Sequence, residues 1–342
     1  MALSRGSLRV GVTHHRARRS PDFPRPRTSA GTRLPGRLVR PESYARESLP
    51  CAGRGRGVRK LSAPPAGPDA AARDNGRVLM LLPPSETKTR PADGSAPLDP
   101  STLTHPELGR ARETMLRAAR RTAEGRDGGE RLGVPASSPE LVARMAAIHE
   151  EPAGPALSVY SGVLYDQLSA GAVIPEDRRV LVMSALLGVV DAAGDHVPAY
   201  RLSAGSRVQR LGAAGPWWST HLKPLRTRLL EETGAGPSPL VVDSRSGAYR
   251  SMLPLRSGHG ARVLQVAPVQ ERGGVRKVIS HDAKRYRGIV TRELIAAPEL
   301  PGDADALVDL LRERLAAVSG VAGAPLGVEL DGDQLVVVDP VG

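Results

Sequence analysis

The sequence predicts a mixed α/β fold with α+β character, a single compact domain built on a mixed sheet. Three observations carry this. Short apolar runs, at residues 77–82, 179–185 and 239–243, have the length and β-branched content of buried strands. Segments with apolar residues every three or four positions separate them, which is helical spacing. Late in the chain, residues 262–269 and 274–279, and then 328–338, read as strand pairs joined by tight turns. Helix-strand alternation followed by late antiparallel hairpins is the pattern of a mixed sheet.

The predicted domain starts after a break in composition. Residues 1–77 hold 17 Lys plus Arg against 5 Asp plus Glu, with 9 Pro and 9 Gly, and residues 78–342 hold 31 of each charge. The net charge of +12 and the pI of about 10.5 therefore belong to the leader. A basic pI often signals nucleic acid, but here it carries no information about residues 78–342. The leader has little apolar periodicity, so its composition predicts disorder. It lacks the apolar segment of a secretory signal. Three readings stay open for it: a transit-like segment, a basic arm touching nucleic acid, or sequence upstream of a true start at Val78 or Met80. Cys51 and Phe23 both lie in it, so disulfides and thiol chemistry are excluded from residues 78–342. No apolar run approaches the twenty residues of a membrane span.

Each element follows in order. The strand at 77–82 is stopped by Pro83 and Pro84, and the next loop presents Ser85, Glu86, Thr87 and Lys88. Residues 106–123 read as a helix with Leu108, Ala111, Met115 and Ala119 on one face. After a Gly-rich break at 125–133, Ser138 and Pro139 open a second helix as cap and first position. Two helices with a Gly-bearing connection could form a DNA-binding hairpin, or an ordinary helix pair. A short helix is predicted to end near Leu168. Ser184 and Gly188 bracket a turn after the strand at 179–185. Tyr200 and Arg201 could offer an aromatic face beside a cation, suited to stacking a base, or could be a core tyrosine and a surface arginine. Trp217 and Trp218 open a helix predicted to run to residue 232, and its Trp218, Leu222, Leu225, Leu229 stripe reads as a core anchor. Asp303 is expected to cap a helix through Val318. The chain closes on a hairpin around Asp331, Gly332 and Asp333.

The stretch at 277–291 draws the functional reading together. A β-like run leads to Asp282, an expected N-cap, and then a helix carrying Tyr286, Ile289, Val290 and Leu294. Lys284, Arg285 and Arg287 crowd its first turns, although cations are ordinarily favoured at the other end of a helix. Gly288 sits inside it at a cost of about 1 kcal/mol relative to Ala. Three cations and a glycine there suit a bound anion such as phosphate; a solvated basic face with Gly288 packed on a neighbour is the alternative. Residues 78–342 also use Lys sparingly, at Lys88, Lys223, Lys277 and Lys284 only, so positions that keep it are candidates for a compact point charge. Dinucleotide and phosphate-loop glycine signatures and zinc-type histidine spacings are missing, and neither a cofactor nor a metal is expected.

Taken in order, the blocks Pro84-Ser85-x-x-Lys88-Thr89, Tyr160-x-Gly162, Leu186-x-Gly188, Pro198-x-Tyr200-Arg201, Trp217-Trp218, Val242-x-Ser244 and Ala283-Lys284-Arg285-Tyr286-Arg287-Gly288 resemble the YaaA family of peroxide-stress proteins, over residues 78 to 320. The resemblance implies a single α/β domain with an electropositive cleft, cytoplasmic, with a helix-hairpin-helix element. It further implies binding of double-stranded DNA and a limit on iron-driven damage under peroxide. The basic leader is not part of that pattern, and the hairpin between the early helices departs from it. The expected phosphate-binding set is Lys88, Lys223, Lys277, Lys284, Arg285, Arg287 and Gly288, with Tyr200 and Arg201 as a stacking pair. An enzyme acting on a nucleotide-like or other phosphorylated small molecule in the same cleft is the rival expectation, with Lys284 or Lys88 as an electrostatic or proton-transfer group.

Overall fold

A computed structural model describes residues 78–342 apart from 169–171, 232, 234–238, 259 and 280–281. The expectation of disorder for residues 1–77 lies outside the described residues. In chain order the elements are β1 (Val78–Leu82), α1 (Gly109–Ala123), α2 (Gly128–Leu132), α3 (Glu140–Ala146), β2 (Ala153–Pro155), α4 (Ala156–Val159), β3 (Arg178–Ser184), β4 (Gly188–Asp191), β5 (His196–Pro198), β6 (Arg207–Val208) and β7 (Gly212–Ala213). They continue with α5 (Ala214–His221), α6 (Leu225–Glu231), β8 (Leu240–Asp243), α7 (Gly247–Met252), β9 (Arg262–Arg272), β10 (Val275–Val278), α8 (Ala283–Ala296), α9 (Ala304–Leu315), β11 (Gly327–Asp331) and β12 (Gln334–Pro340).

The fold is the expected mixed α/β. The main sheet has the order β11-β12-β9-β8-β1-β3-β4, with β10 paired to β9 in addition. Its five central strands, from β12 to β3, are mutually parallel, and β11, β4 and β10 are antiparallel additions. Every residue of β1 and β8 is buried, which is why β1 reads as an unbroken apolar run and β8 as one up to Asp243: a parallel strand is covered on both faces.

The order of pairing makes a crevice. β1 connects onward to β3 on one side, while its other neighbour, β8, connects to β9 on the far side. The loops leaving the C-terminal ends of β1 and β8 therefore diverge, and such a switch point is where open α/β sheets receive ligands.

Local chemistry explains most boundaries. Asp303 caps α9 as expected, its carboxylate accepting the Ala306 N–H at 2.9 Å. Asp282 stands at the N-cap of α8, but its side chain accepts no first-turn amide; its backbone carbonyl takes the Arg285 N–H at 2.9 Å instead. Ser138 is not the side-chain cap of α3, which starts after Pro139. The predicted Trp-Trp helix is two helices, because Pro224 cannot continue α5. The β9–β10 turn is Gly273–Gly274, both at positive φ.

The core anchor reading of Trp218 holds. Its ring is fully buried and its indole N–H donates to the Ala185 carbonyl at 2.7 Å. A Cβ on Gly188 would lie 2.7 Å from that ring, and Gly188 has φ +78°, so the turn between β3 and β4 closes over Trp218 only with glycine.

The early helices do not form a simple two-helix hairpin. The short α2 intervenes between α1 and α3. Gly133 ends α2 in a left-handed conformation, with its N–H on the Glu130 carbonyl and the Val134 N–H on the Gly129 carbonyl, a Schellman termination.

Candidate anion-binding cleft

Three adjoining depressions surround the loop that follows β1. The first, about 290 Å3, opens between the ends of β1 and β8 and is lined by Ser85, Glu86, Arg201, Tyr249, Lys284 and Arg287, among others. The second, about 430 Å3, shares Pro83 to Glu86 and Lys284 and continues towards Ser161, Tyr165 and Asp166. The third, about 220 Å3, shares Glu86 and Arg201 with the first and adds Lys88, Tyr200, Ser138 and Arg144. A larger cavity of about 660 Å3 lies between residues 89–102 and 153–159; it holds none of the residues that the sequence singled out as a site.

The wall after β8 is held from inside. Asp243, the last residue of β8, is buried and receives Arg245 through Nε at 2.9 Å and Nη2 at 2.8 Å. Arg245 Nη1 reaches the Leu253 carbonyl at 2.8 Å, so one guanidinium ties β8 to the far end of α7. Ser246 and Tyr249 are thereby presented to the cleft. Burial pushes the Tyr249 hydroxyl up to about 12, against a hydrogen bond with the Ala204 backbone, and it stays neutral at ordinary pH.

The wall from α8 supplies the cations. Lys284 and Arg287, one helical turn apart, share a face and both line the 290 Å3 cleft. Lys284 is exposed and Arg287 half-buried. Among the described residues Arg287 Nε is buried without a partner. Burial, and then the Arg250 guanidinium, lower the Arg287 pKa, with Asp243 opposing.

The remaining predicted residues divide. Arg285 turns away, donating to the Ser319 carbonyl at 3.2 Å beyond α9. Lys277 lies on β10, whose four residues are all exposed, and Lys223 is exposed in the turn between α5 and α6; neither lines any of the three depressions. Gly288 has a packing role. A Cβ there would stand 2.3 Å from the Leu164 carbonyl oxygen and 2.9 Å from Gln167 Cβ. Glycine lets α8 close on the turn at Tyr165–Gln167, rather than admitting a phosphate.

Arg201 is a strut. Its guanidinium donates to the Gly133 carbonyl from Nε at 3.2 Å and from Nη2 at 3.1 Å, and to the Glu86 carbonyl from Nη1 at 3.1 Å. It thus joins the loop after β1 to the α2 terminus. Tyr200 is only 2% exposed. Its hydroxyl lies 2.8 Å from Ser184 Oγ and 3.2 Å from the Tyr160 hydroxyl. Its ring is covered by Lys88 Nζ, 3.9 Å from the centroid. The face expected to stack on a base is occupied by a cation of the chain itself.

Lys88 is held differently from the other three lysines. Its ammonium donates to the Ser85 carbonyl at 2.7 Å and also lies 5.4 Å from the Tyr160 ring. Burial first, and Arg201 second, lower its pKa to about 7, with Glu86 pulling the other way.

Sequence reasoning missed Ser203 to Gly205, Ser246 and Arg144 as lining residues. The signal that could have found Ser246 is its place just beyond a fully buried parallel strand. Arg144 carries no comparable local mark.

The arrangement defines an α/β protein with a cleft lined by Lys284 and Arg287 at the switch point of a parallel sheet. The family model described as "Peroxide stress protein YaaA" matches residues 78–308, and the chain belongs to that family. It is similar to the UPF0246 protein of Corynebacterium efficiens, with 37% identity over 69% of this chain and 92% of the relative. It is also similar to the UPF0246 protein of Streptomyces coelicolor, with 35% identity over 74% of this chain and 98% of the relative. A Corynebacterium glutamicum relative is 36% identical over 64% of this chain and 84% of its own length. Among the described residues no helix is long and apolar enough to cross a membrane.

Proposed function

We propose that this peroxide stress protein acts in the cytoplasm by binding double-stranded DNA through its phosphates, limiting iron-driven oxidative damage. The observation that carries the reading is the convergence of Lys284 and Arg287 at the C-terminal ends of β1 and β8, with Ser246 beside them. Such a set offers charge and donors to phosphate but no device for reading base edges, so binding would be sequence-independent and strongly salt-dependent. Protection would not use thiol chemistry, since Cys51 is the only cysteine. The test is duplex binding against salt concentration for the natural chain and for Lys284→Ala with Arg287→Ala. A smaller salt slope in the double variant supports the reading, and an unchanged slope places DNA elsewhere.

One observation favours a second reading. The depressions of about 290 and 430 Å3 are close in size to small-molecule sites, which run from about 300 to 1,000 Å3. A phosphorylated small molecule would fill them, with Lys284 and Arg287 holding its phosphate. Saturable nucleotide binding with weak duplex binding in the same experiment selects this reading over the first.

A further inference from the structure

We propose that Lys88 is a reactive amine that condenses with a small anionic aldehyde or 2-oxo acid in the 220 Å3 cavity, with Arg144 holding the carboxylate. The inference is independent of DNA binding, because it concerns a different depression and a lysine that does not line the 290 Å3 cleft.

Four features of the site support it. Lys88 lines a cavity large enough for a small carbonyl compound, beside Tyr200, whose ring its Nζ covers. That cavity is also lined by Arg144, a guanidinium suited to a carboxylate. Among the described residues Lys88 has no ion-pair partner; its ammonium is held by one neutral carbonyl, Ser85, and by two aromatic rings. Its surroundings favour release of the proton: the enclosed position and Arg201 both act against the charged form, and Glu86 is the carboxylate that opposes them. A desolvated lysine near other cations is the known physical route to a nucleophilic amine.

The chemistry balances without a further reagent. The free amine attacks the carbonyl carbon, forming the C–N bond, and the carbonyl π pair moves to oxygen, which takes a proton. Loss of that oxygen as water leaves an imine, and one proton from solvent makes it an iminium. The Tyr160 and Tyr200 rings that now face the ammonium would face this cation instead. Thr87 and Glu86 line the same cavity and can carry the proton to the departing oxygen.

The test uses the full chain with glyoxylate as probe and borohydride to trap the imine, read by peptide mass spectrometry. Residues 78–342 contain four lysines, so each is resolved separately. At pH 7 an ordinary lysine is almost wholly protonated, so labelling at Lys88 is expected to exceed that at Lys223, Lys277 and Lys284 by at least about tenfold. With propionaldehyde, which lacks the carboxylate, the preference for Lys88 should fall, and Arg144→Gln should lower glyoxylate labelling while sparing propionaldehyde labelling. Equal labelling of the four lysines, or none at Lys88, overturns the proposal. Equal effects of Arg144→Gln on both probes overturn the carboxylate assignment.

Discussion

Asp243 and Arg245 pair side by side at the end of β8, two residues apart, with both side chains out of solvent. The Arg245 N–H also donates to Asp243 Oδ1 at 3.0 Å, so the carboxylate organises both the backbone and the guanidinium of the turn. Removing Arg245 leaves the buried Asp243 carboxylate with the more distant Arg250, whose Nε is 4.0 Å away. Arg245→Ala should therefore cost about 3–5 kcal/mol, read as a lower urea midpoint. Replacing both with apolar residues should recover part of the loss. Recovery to no degree would mean that the carbonyl contact to Leu253 matters more than the pair.

Gly288→Ala should destabilise the chain by about 1–3 kcal/mol through overpacking. The added methyl would meet the Leu164 carbonyl and Gln167, and relief requires α8 to move from the turn at Tyr165–Gln167. Circular dichroism during urea unfolding measures this. A variant as stable as the natural chain would show that α8 does not pack so closely there.

Lys284→Ala with Arg287→Ala should change stability by less than about 1 kcal/mol, since one side chain is exposed and the other carries an unpartnered donor. The salt slope of duplex binding should fall by about one unit per lost contact. Lys223→Ala and Lys277→Ala serve as comparison, and both should leave the slope unchanged, because those residues lie outside the cleft. A slope that falls only with the comparison variants would move the interface to β10 or the α5–α6 turn.

Lys88 links stability to pH. Its pKa falls from 10.5 to about 7 in the folded chain, so between these values the unfolded chain binds more protons. Stability then rises with pH across that window, by up to about 1.4 kcal/mol per pH unit, and the cost of burying the charge is fully present below pH 7. Glu86, Arg201, Tyr160 and Tyr200 are the titratable or charged groups around it. Lys88→Met should remove this slope, which denaturation of both chains at several pH values between about 7 and 9 would detect. Parallel pH curves for the two chains would show that Lys88 is protonated throughout.

Local sequence carried much of the fold. The apolar runs of β1, β3 and β8 could be read because strands covered on both faces carry polar residues only at their ends, here Arg178, Arg179, Ser184 and Asp243. Asp303 could be read because a cap acts within one turn. The common face of Lys284 and Arg287 follows from helical spacing alone. Gly288 was ambiguous for the same reason: local sequence shows a glycine in a helix, and only the approach of the Leu164 carbonyl shows what it is for.

The cleft itself belongs to the tertiary structure. Leu79 lies beside Val241 and Leu82 beside Val182, pairings between distant segments that no local pattern encodes. They set the ends of β1 and β8 next to each other and bring Ser85, Ser246, Lys284 and Arg287 around one cavity. The same packing leaves Lys277 and Lys223 outside and closes Tyr160 and Tyr200 around Lys88. A residue's charge is a property of the chain, but its desolvation and neighbours depend on which strands pair. Sequence therefore named the cations, and strand order decided which of them share a site.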